Sequence, residues 1–399
     1  RGIAGLQPGV RPGARMAVVV GSRGIARMPE IVRSVVEILR GWGAEPFLFP
    51  AMGSHGGATP EGQAGVLAGY GITPEAMGAP LRSSLEVREV GISAEGVPVP
   101  ASVEALDSDG ILLVNRVKPH TDFTGRIGSG LLKMSVVGLG KREGATRMHE
   151  AASRLGHEAV IRGMAAVLRR ETPLLGGLAV LENAAHGLAR IEGVRAAEME
   201  AREEALLAEA RTLLPRLPLD DLDLLVVDRM GKNISGTGMD PAVIGRDVQG
   251  YSASLAAAGR ATPFIRRLVV RRLTPETHGN AIGIGLADFT TAELVRSIDP
   301  RSTFVNSLTA LTPQLAKVPI HAGSDREVLD LALTSAVLAD RRRARIARIV
   351  DTLSLERLEV SEALWQELAG NPAVVREGAL YEWPFDAAGN LVGDGDWTA

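Results

Sequence analysis

Three short, unbroken apolar runs, MAVVV, PFLF and ILLV, each give way to a glycine- or proline-bearing segment, and amphipathic stretches lie between them. That alternation of strand-length and helix-length units is the pattern of βαβ connections and a largely parallel sheet. RMAVVVGSRG predicts a strand from Met16 to Val20, and MPEIVRSVVEILRGWG a helix. In that helix Ile31, Val35 and Leu39 recur at helical spacing, Arg33, Glu37 and Arg40 face elsewhere, and Gly41 and Gly43 end it. AEPFLFP is a second strand. The loop AMGSHGGATPEG closes on Thr59 and Pro60, a cap and first-turn pair that opens another helix. SDGILLVN is a third strand, left through RVKPHTDFTG.

At 399 residues the chain exceeds what one hydrophobic core usually supports, so two domains are expected. From ATRMHEAASRLGHEAVIRGMAAVLRR the sequence turns helical, with Met148 or His149 near the start. A helix rich in Ala and Glu then runs to a break at Pro215 and Pro218. LDDLDLLVVDRMGKNISGTGMD begins a new strand and a glycine-rich loop, and AIGIGLADFTTAELVRSID repeats the strand, cap and helix order. The expectation is an α/β fold of two domains, 1–218 and 219–399, with largely parallel or mixed sheets flanked by helices. The active site is expected in the cleft between them, and the end of the chain is expected to pack back on the first domain. The arginines of LADRRRARIARIV read as a solvated helix face.

Composition excludes several classes of function. A net charge of −3 supplies no basic field for nucleic acid or an anionic membrane. No apolar run is long enough to span a bilayer, and RGIAGLQPGVRPGAR lacks the apolar core of a secretory signal, so a cytoplasmic enzyme is expected. With no cysteine there is no disulfide, thiolate metal site or cysteine nucleophile, and any metal must use His, carboxylate or sulfur carried by another molecule.

Arg23, His55 and His120 each follow the carboxyl end of a predicted strand, where loops of an open parallel sheet gather around ligands. His55 in GSHGGAT and His120 after Pro119 read equally as loop histidines bonded to backbone. Two of them at one sheet edge favour acid/base chemistry. Lys133, in SGLLKMSVVG, is an amine among apolar residues, either a nucleophile activated by burial or a snorkelling side chain. Arg23 suits a bidentate grip on a carboxylate, or an ion pair with Glu30. His157, His186, His278 and His321 have no comparable support, although His278 stands in a polar loop. GLGKRE is not a phosphate-binding loop, HEAASRLGH lacks zinc-protease spacing, and SRGIARMPE lacks the dinucleotide glycines.

GSHGGATPEGQ, NRVKPHTDFTGRIGSGLLKM, RMHE and KNISGTGMDP together resemble the nickel-pincer nucleotide-dependent lactate racemase superfamily, as a divergent homologue. Histidine, histidine, lysine and histidine occur in the family order, and fifteen residues separate Lys133 from His149, as the family pattern expects. The resemblance implies a racemase or epimerase of a 2-hydroxy acid, acting by reversible hydride transfer to a nickel-pincer pyridinium mononucleotide built by maturation enzymes. Lys133 would then be the covalent tether, His149 the nickel ligand, and His55 and His120 the acid/base pair. Arg23 and Lys232 would bind substrate, and Gly128 and Gly130 would admit the cofactor. The sulfur donors that suit nickel would come with the nucleotide. The run RIGSGLLKMS is longer and more apolar than the Gly-Gly-Arg-Lys-Ser run of lactate racemases proper, and GSRGIARMP replaces their Thr-Arg-Pro element. Two other readings stay open. One is a metal-dependent hydrolase with His55, His120 and His149 as direct ligands, and the other is a nucleotide- or ligand-binding protein without catalysis.

Overall fold

β1 (Arg15–Gly21) reads as a continuous apolar run because both of its faces are covered: Ala17 and Val19 enter one core, and Met16, Val18 and Val20 enter another. The computed structural model describes residues 2–21, 24–53, 55–120, 123, 125–246, 248, 263–310 and 312–393. By its internal contacts the chain forms two compact units, Arg1–Leu214 and Pro215–Ala399.

In the first unit α1 (Met28–Gly41) buries Ile31, Val32, Val35, Val36 and Leu39 on one stripe. Each such side chain contributes about 1.5–3 kcal/mol by leaving water. Next come β2 (Glu45–Ala51) and α2 (Pro60–Gly69), whose first turn is capped by Thr59 accepting from Gly62 N. β3 (Val87–Ile92) and β4 (Pro98–Ser102) make a separate antiparallel pair, and β5 (Gly110–Arg116) returns to the main sheet. α3 (Lys141–Leu155) and α4 (His157–Glu171) lead to β6 (Leu174–Glu182), β7 (Leu188–Arg195) and α5 (Met199–Leu213). The sheet order is β2-β1-β5-β6-β7, parallel except for the β6/β7 pair. From β1 the chain goes to β2 on one side and later to β5 on the other. The carboxyl ends of β1 and β5 therefore flank a topological switch point, the usual ligand crevice of an open α/β sheet.

The second unit contains β8 (Asp221–Met230), β9 (Phe264–Leu273) and β10 (Phe289–Thr291). They are followed by α6 (Ala292–Ser297), α7 (Pro300–Thr309), β11 (Ile320–Ala322), α8 (Asp325–Ser335), β12 (Ile346–Ile349) and β13 (Glu359–Val360). The order is β11-β10-β9-β8-β12-β13, parallel except for the β12/β13 pair, with its switch point between β8 and β12. Among the described residues no helix is long and apolar enough to cross a membrane.

Two sequence expectations are corrected here. The arginine run is no helix face: Arg341–Arg343 form a single turn, and Arg348 lies on β12, only 2% exposed. His149 is not near a helix start but in the third turn of α3, because the helix already begins at Lys141. Within the second unit Leu391, Trp383 and Phe385 cover an apolar cluster that includes Leu224, Val226 and Val269.

Arg348 is buried because it has partners. Asp228 on β8 accepts from Arg271 Nη1 at 2.7 Å and from Arg348 Nε at 2.9 Å, all three groups being nearly inaccessible to water. Arg271 also donates to Asp325 at 2.7 Å and to the Leu391 carbonyl at 3.1 Å, and Arg348 donates to Glu359 and to the Gly393 carbonyl, both at 3.0 Å. Removing the shared anion would leave two guanidiniums buried with fewer partners. Asp228→Asn is therefore expected to cost about 3–5 kcal/mol, read as a lower urea midpoint for the second unit. An unchanged midpoint would show that the network contributes no stability.

Candidate functional site

The carboxyl ends of β1, β2 and β5 converge beneath one irregular segment. A short turn (Leu131–Lys133) runs into a π-helical turn (Met134–Leu139), and both press on the strand ends. A Cβ at Gly21 would lie 2.6 Å from Met134 Cε, and one at Gly138 would lie 2.8 Å from Ala51 Cβ. Asn115, at the end of β5, donates to the Gly130 carbonyl at 2.9 Å. Glycine is needed at Gly138, where Ala51 Cβ approaches more closely than a Cβ allows, whereas at Gly21 the close atom is the mobile end of Met134.

The loop after β5 closes on itself where Lys118 and Ser129 exchange backbone hydrogen bonds at 2.9 and 2.8 Å. Glu158 accepts from Arg126 N at 3.0 Å, and Arg211 donates to the Gly125 carbonyl. The loop thereby holds His120 over the Leu131–Lys133 turn, where Lys133 Nζ donates to His120 Nε2. An ammonium donor at Nε2 leaves the ring proton on Nδ1.

A stack of rings extends from this pair. His120 lies on Phe123 with centroids 4.5 Å apart, Phe123 lies on His157 at 4.8 Å, and His149 meets His157 edge-on at 6.2 Å. Burial pushes the His120 imidazole down to about 2, reinforced by the positive charges of Lys133, His157, His149 and Lys118. At neutral pH His120 is thus uncharged.

Beneath the turn lies a carboxylate. Glu203, only 1% exposed, accepts from Leu132 N at 2.8 Å, and burial raises it to about 7 against the pull of the Leu132 and Leu131 N–H groups. A Cβ at Gly130 would come within 2.3 Å of this carboxylate, and one at Gly128 within 2.5 Å of the Lys118 carbonyl. Both glycines, expected from sequence to admit a cofactor, are thus occupied by contacts within the chain.

His55 stands at the exposed first position of the turn His55–Ala58, where Gly56 and Gly57 take φ of 63° and 66°. This turn follows the carboxyl end of β2, which β1 separates from β5 along the sheet edge. A Cβ at Gly53 would touch Ala145 Cβ at 3.0 Å, and Ala145 is one helical turn before His149. Arg23 lies outside the described residues. Its suggested partner Glu30 is bound by Arg27 at 2.7 Å. The following backbone is fixed by Glu182, which accepts from Ala26 N at 2.6 Å and pairs with Arg116. Lys232, after β8 in the second unit, donates to Asn306 Oδ1 at 2.8 Å and to the Gly236 carbonyl at 3.2 Å.

The structure therefore brings Lys133, His120 and His149 into one cluster, with His55 on the loop after β2, one strand beyond β1. Sequence reasoning missed Phe123, His157 and Glu203. Glu203 did carry a signal, since Met199, Glu203, Leu206 and Ala210 share the buried stripe of α5 and a glutamate at a core position needs a reason. His157 carried none, because its link to His120 runs through Phe123.

No family model matches the chain, and no curated protein matches it in sequence. Among solved structures, the chain is similar to a lactate racemase apoprotein from Thermoanaerobacterium thermosaccharolyticum. The TM-score is 0.51 at 15% identity, over 88% of each chain. A protein from Thermotoga maritima is similar at TM-score 0.46 and 14% identity, over 78% of this chain and 79% of that one. At this identity the first likeness shows a shared α/β fold.

Proposed function

We infer that the chain is an isomerase that racemises or epimerises a 2-hydroxy acid with a nickel-pincer pyridinium nucleotide held on Lys133. The observation that carries this reading is the cluster itself: an amine fit for a covalent tether touches a neutral imidazole, and a second imidazole on α3 joins them through the ring stack. The shared fold with a lactate racemase apoprotein supports it.

The donor set suits such a group. Among the described residues no three His, Asp or Glu side chains are grouped so as to hold a metal by themselves, which counts against the hydrolase with three direct histidine ligands. A metal here needs donors from another molecule, with His149 as the protein's contribution and Lys133 as the anchor. When bound, the nucleotide supplies the hydride acceptor and donor. Burial and the neighbouring charges keep His120 uncharged, and the nearby Lys118 provides positive charge toward an anionic group.

The chain's own residues then have defined tasks. A hydrogen on the carbon between carboxylate and hydroxyl is a very weak acid, and losing it as a proton would leave a costly dianion. Losing it as hydride while an imidazole takes the hydroxyl proton gives a planar 2-oxo acid instead, and its reduction from the opposite face inverts the centre. His120 and His55 serve as the two proton acceptors, one for each enantiomer. Arg23 holds the substrate carboxylate. Gly128 and Gly130 keep the tether's backbone tight against Lys118 and Glu203.

The test follows the hydrogen on carbon 2. Enzyme matured with nickel and its cofactor, converting a 2-hydroxy acid in heavy water, is expected to return product with near-complete protium at carbon 2, read by NMR or mass spectrometry. One solvent deuterium incorporated per inversion would falsify hydride transfer in favour of proton abstraction by the histidines.

A further inference from the structure

Lys141, in the sequence GLGKRE, is a buried cation to which the chemistry above gives no task. It is 1% exposed, and among the described residues no carboxylate forms an ion pair with it. Its Nζ donates to the Pro50 carbonyl at 2.5 Å and to Gln63 Oε1 at 3.2 Å, and lies 4.0 Å from the centre of the Phe49 ring. Gln63, fully buried, passes the contact on: its Nε2 donates to the carbonyls of Met52 and Gly53 at 3.1 and 3.2 Å. The carbonyls of Pro50, Met52 and Gly53, the last turn of backbone before the His55 loop, are thus all held by one lysine–glutamine pair.

The same lysine begins α3, and it does so in the left-handed conformation, φ 53°, which a residue with a side chain rarely adopts. That kink joins the π-helical turn after Lys133 to the helix that carries His149. On the far side of the loop Gly56 packs against Gly62 and Gln63, where a Cβ would come within 2.3 Å of backbone. An ammonium out of water is expensive, and an apolar side chain of similar length would fill the same space at lower cost. Burial lowers the Lys141 amine to about 7, opposed by the carboxylate of Glu104, which is itself paired with Arg82.

We propose that Lys141 is a positioning residue which, through Gln63, fixes the His55 loop against the helix bearing His149. The proposal rests on the reading of His55 as an acid/base group, but its first test does not need turnover. In Lys141→Met and Gln63→Leu, amide hydrogen exchange over residues 52–58 is expected to quicken by about tenfold or more while the rest of the first sheet keeps its protection. In matured enzyme, kcat is expected to fall by about 10- to 100-fold, the scale of a misplaced group, with nickel content unchanged. In a His55→Ala background the Lys141→Met change is expected to add no further loss, since the residue acts through His55.

Unchanged exchange over 52–58 in both variants overturns the proposal, as does a loss in kcat that multiplies independently of His55→Ala. If Lys141→Met does not fold, Gln63→Leu decides by the same readouts. Should no 2-hydroxy acid be turned over at all, the functional reading fails while the exchange result still decides whether Lys141 holds the loop.

Discussion

In matured Lys133→Ala protein the nucleotide-sized adduct is expected to vanish from the intact mass, and all turnover with it. Lys133 Nζ reaches His120 Nε2 above a turn pinned by Glu203 and Asn115. The variant has a second readout that needs no cofactor. The Lys133 charge is the next cause after burial for the low basicity of His120, so in unloaded protein its removal raises the His120 pKa, which stays below the ordinary value because the burial remains. NMR titration of the ring measures this. Active, unmodified Lys133→Ala protein would end the tether assignment, and an unmoved His120 titration would end the proximity argument.

His120→Phe is expected to slow turnover by about 10²- to 10⁴-fold, the usual weight of a lost acid/base group, while retaining nickel. His149→Ala is expected to do the reverse, losing the metal first. Phenylalanine is the informative replacement because it preserves the stack on Phe123. It also separates chemistry from stability. The folded-state pKa of His120 is depressed from 6.5 to about 2, so between those values the unfolded chain binds a proton that the folded chain refuses. Stability from this residue is present above 6.5 and is lost as pH falls through that window. His120→Phe removes the penalty, and its melting temperature is expected to decline less than that of the parent between pH 6 and pH 4. A nickel loss in His120→Phe matching that of His149→Ala would restore the direct-ligand model.

That His55 and His120 follow strand ends was legible because parallel strands buried on both faces announce themselves as unbroken apolar runs, and the residues after them follow by topology, whereas Lys133 stood out only as an amine among apolar residues. Thr59 marked its helix start by local chemistry alone. What stayed hidden depends on contacts distant in sequence. Arg348 reads as a surface arginine until Asp228, 120 residues earlier, is seen beside it. The start of α3 was misread because Gly140 and a left-handed Lys141 join it directly to a π-helical turn, with none of the usual capping residues. Gly128 and Gly130 were expected to admit a cofactor, while the atoms that crowd a Cβ there belong to Lys118 and Glu203.

The buried arginines of the second unit also bear on how this protein emerges from the ribosome. Arg271 and Arg348 are completed by the carbonyls of Leu391 and Gly393, and Asp325 by the amide of Leu391 at 2.9 Å. While a nascent chain still lacks residues 383–393, the second sheet holds two guanidiniums short of acceptors and an apolar face without Trp383, Phe385 and Leu391. The first unit can close as soon as Leu213 is out, since N-terminal domains fold as units during synthesis. The second must wait for residues 383–393, and a stalled product that lacks them is a natural substrate for chaperones and proteases.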